Sequence, residues 1–362
     1  MNILIICGES SSNSYGTALA ETLQAQGHRV FSFGNTQLET VSEQLMAIDT
    51  TKHSVSFGQW RKKHQLINRM KHAIHASPSP IDKAVIIDFP NYNFKIAALL
   101  KHFNIPITTF ITPNFWIWGQ RRLAKKILDY SNAVITIFKK EYDLYSGINK
   151  HKTYYFGHPL SQCVSLKNSI PTDRIRIGLF PGSRNGEIKL HLPAMLQVLS
   201  LINIPNLSVT IYCEDHQLYP QITAILNSHN VTNIQIKSEH RDLSLAITAP
   251  GTNSLKLALM RIPMTIIGYL NPWVYVIAKY ILRLQVPFIG LPNIILDRTA
   301  FPEYIQPSTQ RFKDIAKDIM TLLMTPEYAD QFDPAFDQIQ HDVTSNNSIY
   351  TQIAATITNG LN

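Results

Sequence analysis

The chain has 362 residues, 45% hydrophobic and 16% charged, with 33 basic against 25 acidic side chains and a net charge of +8. Such a length predicts two domains and such a composition excludes a disordered chain; no run of about 18 uncharged apolar residues could span a bilayer, and Cys7, Cys163 and Cys213 form neither a metal pattern nor a disulfide framework, which fits a reducing compartment. The basic balance points to anionic partners, and with no nucleic-acid motif present, phosphorylated ligands and membrane surfaces rank above nucleic acid.

Asn2–Cys7 is a fully apolar run bounded by Gly8, the pattern of a central parallel strand; it is too short for a signal peptide and has no basic flank. Gly8-Glu9-Ser10-Ser11-Ser12-Asn13 follows, then a predicted helix from about Tyr15 to Gln26, stopped by Gly27, and a strand at Val30–Phe33. This β-α-β opening lacks the Rossmann glycine fingerprint, and on their own Glu9 and the serines read as helix caps. Residues 57–77 are basic and helical in pattern, a solvated face ahead of a membrane-contacting one.

Lys83–Asp88 is a buried strand with Asp88 at its carboxyl end, where catalytic groups sit and where partial desolvation raises a carboxyl pKa. Asp88-Phe89-Pro90-Asn91-Tyr92-Asn93 then opens a helix, Phe94 to His102. Ile107–Ile111 is the next strand, followed by Trp116, Trp118, Arg121, Arg122 and Lys125. Tryptophans beside cations suit an amphiphilic anionic ligand, and core packing of the rings suits them equally. Ala133–Phe138 reads as the last strand of the first half, and Phe156–Arg174, with Gly157, Pro159 and Pro171, as the linker.

The second half opens on Gly178–Glu187, G-L-F-P-G-S-R-N-G-E, the end of a strand near 175–180, a glycine turn and a helix starting near Glu187. Free backbone N–H groups and a helix's positive end make such a turn a phosphate seat, and Arg184 adds a planar cation; an ordinary βα turn with a surface arginine is the plainer reading. A second strand, near 244–248, ends in Pro250-Gly251-Thr252-Asn253-Ser254 and a helix from about Leu255 to Met260. Two such turns at strand carboxyl ends should converge on one crevice. Neither has the spacing of an ATPase phosphate loop. Further strands are predicted near 208–213, 234–236 and 264–267. Burial and membrane docking both fit the apolar stretch Asn271–Gln285, and helices fit 311–358.

Seven short motifs now stand together: G-E-S-S at Gly8–Ser11, D-F-P-N-Y-N at Asp88–Asn93, W-I-W at Trp116–Trp118, F-G-H-P-L at Phe156–Leu160, L-F-P-G-S-R-x-x-E-I from Leu179, A-P-G-T-x-S-L from Ala249 and L-P-N-I-I-L-D-R-x-x-x-P-E from Leu291. In combination they resemble the lipid-A-disaccharide synthase family, inverting glycosyltransferases of the GT-B fold, from the first strand to about residue 306. The resemblance implies an α/β chain of two Rossmann-like domains whose parallel sheets face a central cleft: 1–160 on the acceptor side, a 161–174 linker, 175–310 binding the nucleotide sugar, and 311–362 as closing helices that cross back to the first domain. It implies transfer of 2,3-diacylglucosamine from its UDP derivative to 2,3-diacylglucosamine 1-phosphate in lipid A biosynthesis. No cofactor and no metal are implied, and the setting is the cytoplasm, in peripheral contact with the inner membrane.

By the same resemblance Asp88 and Asn91 are the catalytic candidates. Gly182, Ser183, Arg184, Glu187, Gly251, Thr252, Asn253, Ser254, Asn293 and Glu303 fall on the nucleotide-sugar side, and Glu9, Ser11, Trp116, Trp118 and Arg122 on the acceptor side. Four positions, all expected to face the cleft, depart from the family pattern. Asn91 stands where a carboxylate is favoured as the base, Asn13 and Lys256 replace acidic residues, and Gly119 replaces an arginine. A neutral amide takes no proton. Either Asp88 serves as base, or the chain is a non-catalytic relative that binds nucleotide sugar or lipid; another GT-B enzyme, such as a nucleotide-sugar epimerase, is the third reading.

Overall fold

The computed structural model describes residues 1–362 except 9, 49–59, 90–91, 114–119, 164–173, 239–241, 270–287, 307, 309, 326, 346 and 360–362. Two compact units divide the chain: Met1–Gln162 with Val343–Asn362, and Cys163–Asp342.

In the first unit the apolar runs become parallel strands β1 (Asn2–Cys7), β2 (Arg29–Gly34), β3 (Glu43–Ala47), β4 (Lys83–Ile87), β5 (Ile107–Phe110), β6 (Ala133–Thr136) and β7 (Thr153–Tyr155), in the order β3-β2-β1-β4-β5-β6-β7. β1 and β4 to β6 are buried along almost their whole length, because helices cover both faces of such a sheet. Helix Trp60–His75 buries Leu66, Met70 and Ile74 and exposes Arg69 and Lys71, the solvated basic face expected of it. Helix Ile349–Thr358 buries Ile349, Ile353, Ala354 and Ile357 in this unit. Lys83 Nζ donates to the carbonyls of Ile357 at 2.6 Å and Thr358 at 3.1 Å, placing a cation at that helix's negative end.

The second unit repeats the plan with β8 (Ile175–Phe180), β9 (Leu207–Tyr212), β10 (Gln235–Lys237), β11 (Leu245–Thr248), β12 (Met264–Gly268) and β13 (Glu303–Ile305), all parallel, in the order β10-β9-β8-β11-β12-β13. Its core gathers Ile177, Leu179, Ile188, Leu192, Ile211, Ile247 and, from helix Arg311–Met324, Phe312, Ile315 and Ile319. Of the closing helices, Arg311–Met324 therefore stays with the second unit, and Ile349–Thr358 belongs to the first.

In both sheets the strand order switches sides once, between β1 and β4 and between β8 and β11, with all strands still parallel. Open α/β sheets bind ligands at the carboxyl ends of the strands flanking such a switch. Strands are expected from the sequence at both points; β7 follows the expected last strand of the first half, Ala133–Phe138, and β3 and β13 are additional to the expected strands. The stretch Asn271–Gln285 and most of the linker lie outside the described residues.

Candidate active site

In the second unit the two glycine turns leave neighbouring strands. β8 and β11 pair with Phe180 opposite Thr248, and Ala249 N–H donates to the Phe180 carbonyl at 2.8 Å, so Pro181–Arg184 and Pro250–Ser254 emerge side by side. The first turn opens helix Asn185–Ser200 and the second opens helix Thr252–Leu259; neither helix has a side-chain cap. Two uncapped helix ends at one switch in strand order form a strong anion-attracting arrangement.

Gly182 has φ of 118°, and a Cβ there would stand 2.6 Å from both Cβ and Oε2 of Glu187. The turn follows its tight path because Glu187 folds back over it: Oε2 accepts from Ser183 N–H at 2.9 Å, and Oε1 meets Arg184 Nη1 at 3.3 Å. That ion pair joins a half-exposed arginine to a half-buried carboxylate and contributes about 1 kcal/mol, so a phosphate can compete for the guanidinium at small cost. His191 is buried one turn further on; Nδ1 donates to the Glu187 carbonyl at 2.8 Å and Nε2 accepts from Tyr269 N–H at 3.1 Å. This tautomer is neutral, and burial lowers the imidazole's pKa, so His191 ties the turn after β8 to the end of β12 without adding charge.

At the second turn Gly251 has φ of 135°, and the buried Ser254 hydroxyl donates back to the Gly251 carbonyl at 2.7 Å. Thr252 is exposed and Asn253 half-buried at the helix start. Lys256 pairs with Glu214, from the loop after β9, at 2.6 Å. A carboxylate thus reaches this helix from a different strand, although position 256 is a lysine.

Asn293 and Glu303 spend their polar atoms inside the protein. Asn293 Oδ1 accepts from Ala300 and Phe301 N–H, both at 2.9 Å, and its amide donates to the Phe301 carbonyl and to Glu303 Oε2. Glu303 also accepts from the N–H groups of Ile289 and Gly290. Together they pin both ends of the 289–303 stretch to β13.

In the first unit the switch in strand order lies between β1 and β4. Gly8 admits no side chain, since a Cβ would come 2.1 Å from the Phe89 ring. Glu9, Asn91, Trp116, Trp118 and the Ser11 side chain lie outside the described residues. Asp88 follows β4, half-buried, with φ of 40°, and its N–H donates to the Ile111 carbonyl at 3.3 Å. Arg122 is exposed on helix Arg121–Tyr130, whose buried face is Ala124, Ile127 and Leu128.

One departure changes meaning here. Asn13 is fully buried, and its Oδ1 accepts from Asn35 N–H at 3.0 Å. It joins the first helix to the end of β2, so the residue expected to face the cleft is a packing residue instead. Cys7 is buried as expected; burial pushes its thiol well above the usual range, leaving it unreactive.

Glu141, Thr112, His191 and Glu214 join the site residues expected from the sequence. Glu141 alone carried a signal, its spacing as third residue of the helix Lys139–Asn149.

A family model described as lipid-A-disaccharide synthetase matches residues 3–355. The lipid-A-disaccharide synthase of Trichlorobacter lovleyi is 26% identical over 353 residues, covering 91% of this chain and 90% of that protein. That of Coxiella burnetii is 26% identical over 354 residues, covering 90% of each. Among solved structures, UDP-GlcNAc 2-epimerase from Neisseria meningitidis bound to UDP-GlcNAc superposes with a TM-score of 0.61 at 12% identity over 98% of both chains. An Anabaena protein in complex with UDP and glucose does so at 0.56, with 10% identity over 99% of both. At such identities the structural likeness speaks for the GT-B fold alone.

Proposed function

The chain belongs to the lipid-A-disaccharide synthetase family, and on that footing we propose that it transfers 2,3-diacylglucosamine from its UDP derivative to 2,3-diacylglucosamine 1-phosphate. The observation that carries the donor side is the pair of uncapped helix ends at adjacent glycine turns, beside Arg184. They receive the diphosphate, and their fixed dipoles stabilise the charge that grows on UDP as it leaves. Gly182, Ser183, Arg184, Gly251, Thr252 and Asn253 make these contacts, Glu187 shapes the turn, and Ser254, Asn293 and Glu303 hold the surrounding loops.

On the acceptor side, Asp88 takes the proton from the attacking sugar hydroxyl. The hydroxyl oxygen bonds to the anomeric carbon as the bond to the diphosphate breaks, with inversion. Asn91 holds a sugar hydroxyl by hydrogen bond, and Glu9, Ser11, Trp116, Trp118 and Arg122 contact the acylated acceptor. The acyl chains keep both substrates at a membrane surface, where a chain of net charge +8 is drawn to anionic headgroups. Sedimentation with anionic vesicles that salt reverses supports that contact; no sedimentation at low salt removes it.

Asn91 favours a second reading, a relative that binds the nucleotide sugar without turning it over. UDP release by the purified chain, with and without the acylated glucosamine 1-phosphate, separates the two. Acceptor-dependent release supports the transferase, and tight UDP binding without release supports the binder.

A further inference from the structure

Among the described residues Glu141 is the only Asp, Glu, Lys or Arg that is buried. One carboxylate oxygen accepts from Ile137 N–H at 2.9 Å and Phe138 N–H at 3.3 Å, at the start of its own helix. Phe138 has no side-chain acceptor to answer with, so this is half of a capping box. A cap explains only that oxygen. The other accepts from Thr112 N–H at 3.2 Å and the Thr112 hydroxyl at 2.5 Å, in the loop after β5. A single buried carboxylate therefore joins the carboxyl ends of β5 and β6 through neutral donors.

The backbone beside Thr112 needs such a grip. Ile111 has φ of 62°, a conformation rare for a β-branched residue, and Asp88 on the neighbouring strand end has φ of 40°. Conformations of this kind persist only where the surroundings over-determine them. Ile111 N–H donates to the Ile135 carbonyl at 3.1 Å, and the Ile111 carbonyl accepts from Asp88 N–H at 3.3 Å. Contacts thus run without a break from Glu141 through Thr112 and Ile111 to Asp88.

We propose that Glu141 is a positioning residue whose ionised carboxylate clamps the ends of β5 and β6 and so fixes Ile111, Thr112 and Asp88. The catalytic part of this role rests on Asp88 being the base of the transfer proposed above. Burial without a cation pushes the carboxyl up to about 7, against the lowering effect of its hydrogen bonds. A protonated carboxyl can instead donate its O–H to the Thr112 hydroxyl, so the ionised form is the one that answers all four donors. Tyr145, one turn further along the same helix, is the titratable group that couples to it, and burial keeps that phenol neutral. The two loops face it with backbone N–H groups and the Thr112 hydroxyl.

Amide exchange of the full chain, read by mass spectrometry at pH 8 and corrected for intrinsic rates, tests the clamp without requiring turnover. At pH 8, where the wild-type carboxyl is ionised, protection in peptides covering Asp88 and residues 107–113 should be about tenfold or more lower in Glu141→Gln than in wild type, the scale of a lost hydrogen bond to a charged group. Exchange there should be fast in the variant, with β8 and β11 protected as in wild type. If Glu141→Gln does not fold, Glu141→Asp, which keeps the charge but shortens the reach, must show the same fast exchange. Wild-type exchange in the variant overturns the clamp. In the transfer assay at pH 8, kcat should fall about tenfold or more, while KM for the UDP-activated donor moves less than about twofold. An unchanged kcat beside altered exchange overturns the positioning role. No turnover in wild type, with exchange as expected, sinks the proposed transfer and leaves the clamp standing.

Discussion

Replacing Glu141 with Gln should change how stability depends on pH, with a sign fixed by its burial. Burial pushes the folded carboxyl up to about 7 from an ordinary value of 4.5. Between those values the folded chain keeps a proton that the unfolded chain has released, so stability falls as pH rises through that window. The shift from 4.5 to about 7 corresponds to about 3 kcal/mol. Glutamine has no proton to lose, and every other titrating group is common to both proteins and cancels in the difference. Thermal unfolding of wild type and Glu141→Gln at pH 5, 6, 7 and 8 should show wild type losing ground steadily, by about 2–3 kcal/mol over the series. A difference that is flat in pH would mean the carboxyl titrates where an exposed one does. A difference that grows in favour of wild type would mean that the four hydrogen bonds outweigh burial. The expected outcome has a functional sense: the ionised form that clamps the strand ends is the less stable one, a common compromise at sites of activity.

Gly182→Ala should cost about 1–3 kcal/mol of backbone strain and displace Glu187 from Ser183; lowered Tm with weakened UDP binding confirms it, and two unchanged values refute the reading of the turn. Arg184→Ala should weaken UDP binding about tenfold, the low end for a charge-assisted bond because the guanidinium is half exposed; calorimetry giving equal affinities removes Arg184 from the site. Asn293→Ala strands the Ala300 and Phe301 N–H groups and should cost about 3 kcal/mol or more in thermal stability. Loss of UDP affinity with unchanged Tm would instead make Asn293 a ligand contact.

Physical uniformity decided what the sequence disclosed. β1 is legible to the residue because it is packed on both sides and so presents a sustained apolar run, and β8 because its buried end, Ile177–Phe180, runs into a glycine turn. The two glycine turns were legible because a tight turn into a helix needs residue types that stand out. The edge strands gave little signal: β3 buries only Met46, and β13 is half-buried throughout. Partnerships across the fold were invisible for another reason. Nothing in the letters around position 141 announces that a carboxylate reaches Thr112, 29 residues earlier. Asn13 illustrates the converse: a position that resemblance assigned to the cleft was settled by the packing of one amide against Asn35.

The transfer itself can be read by incubating the purified chain with UDP-2,3-diacylglucosamine and 2,3-diacylglucosamine 1-phosphate, counting UDP and resolving the product by NMR. The expected result is one UDP per disaccharide, inversion at the transferred anomeric carbon, and loss of both products in Asp88→Asn with UDP binding retained. A wild-type chain that binds UDP yet yields no disaccharide, or a yield that Asp88→Asn leaves untouched, would contradict it.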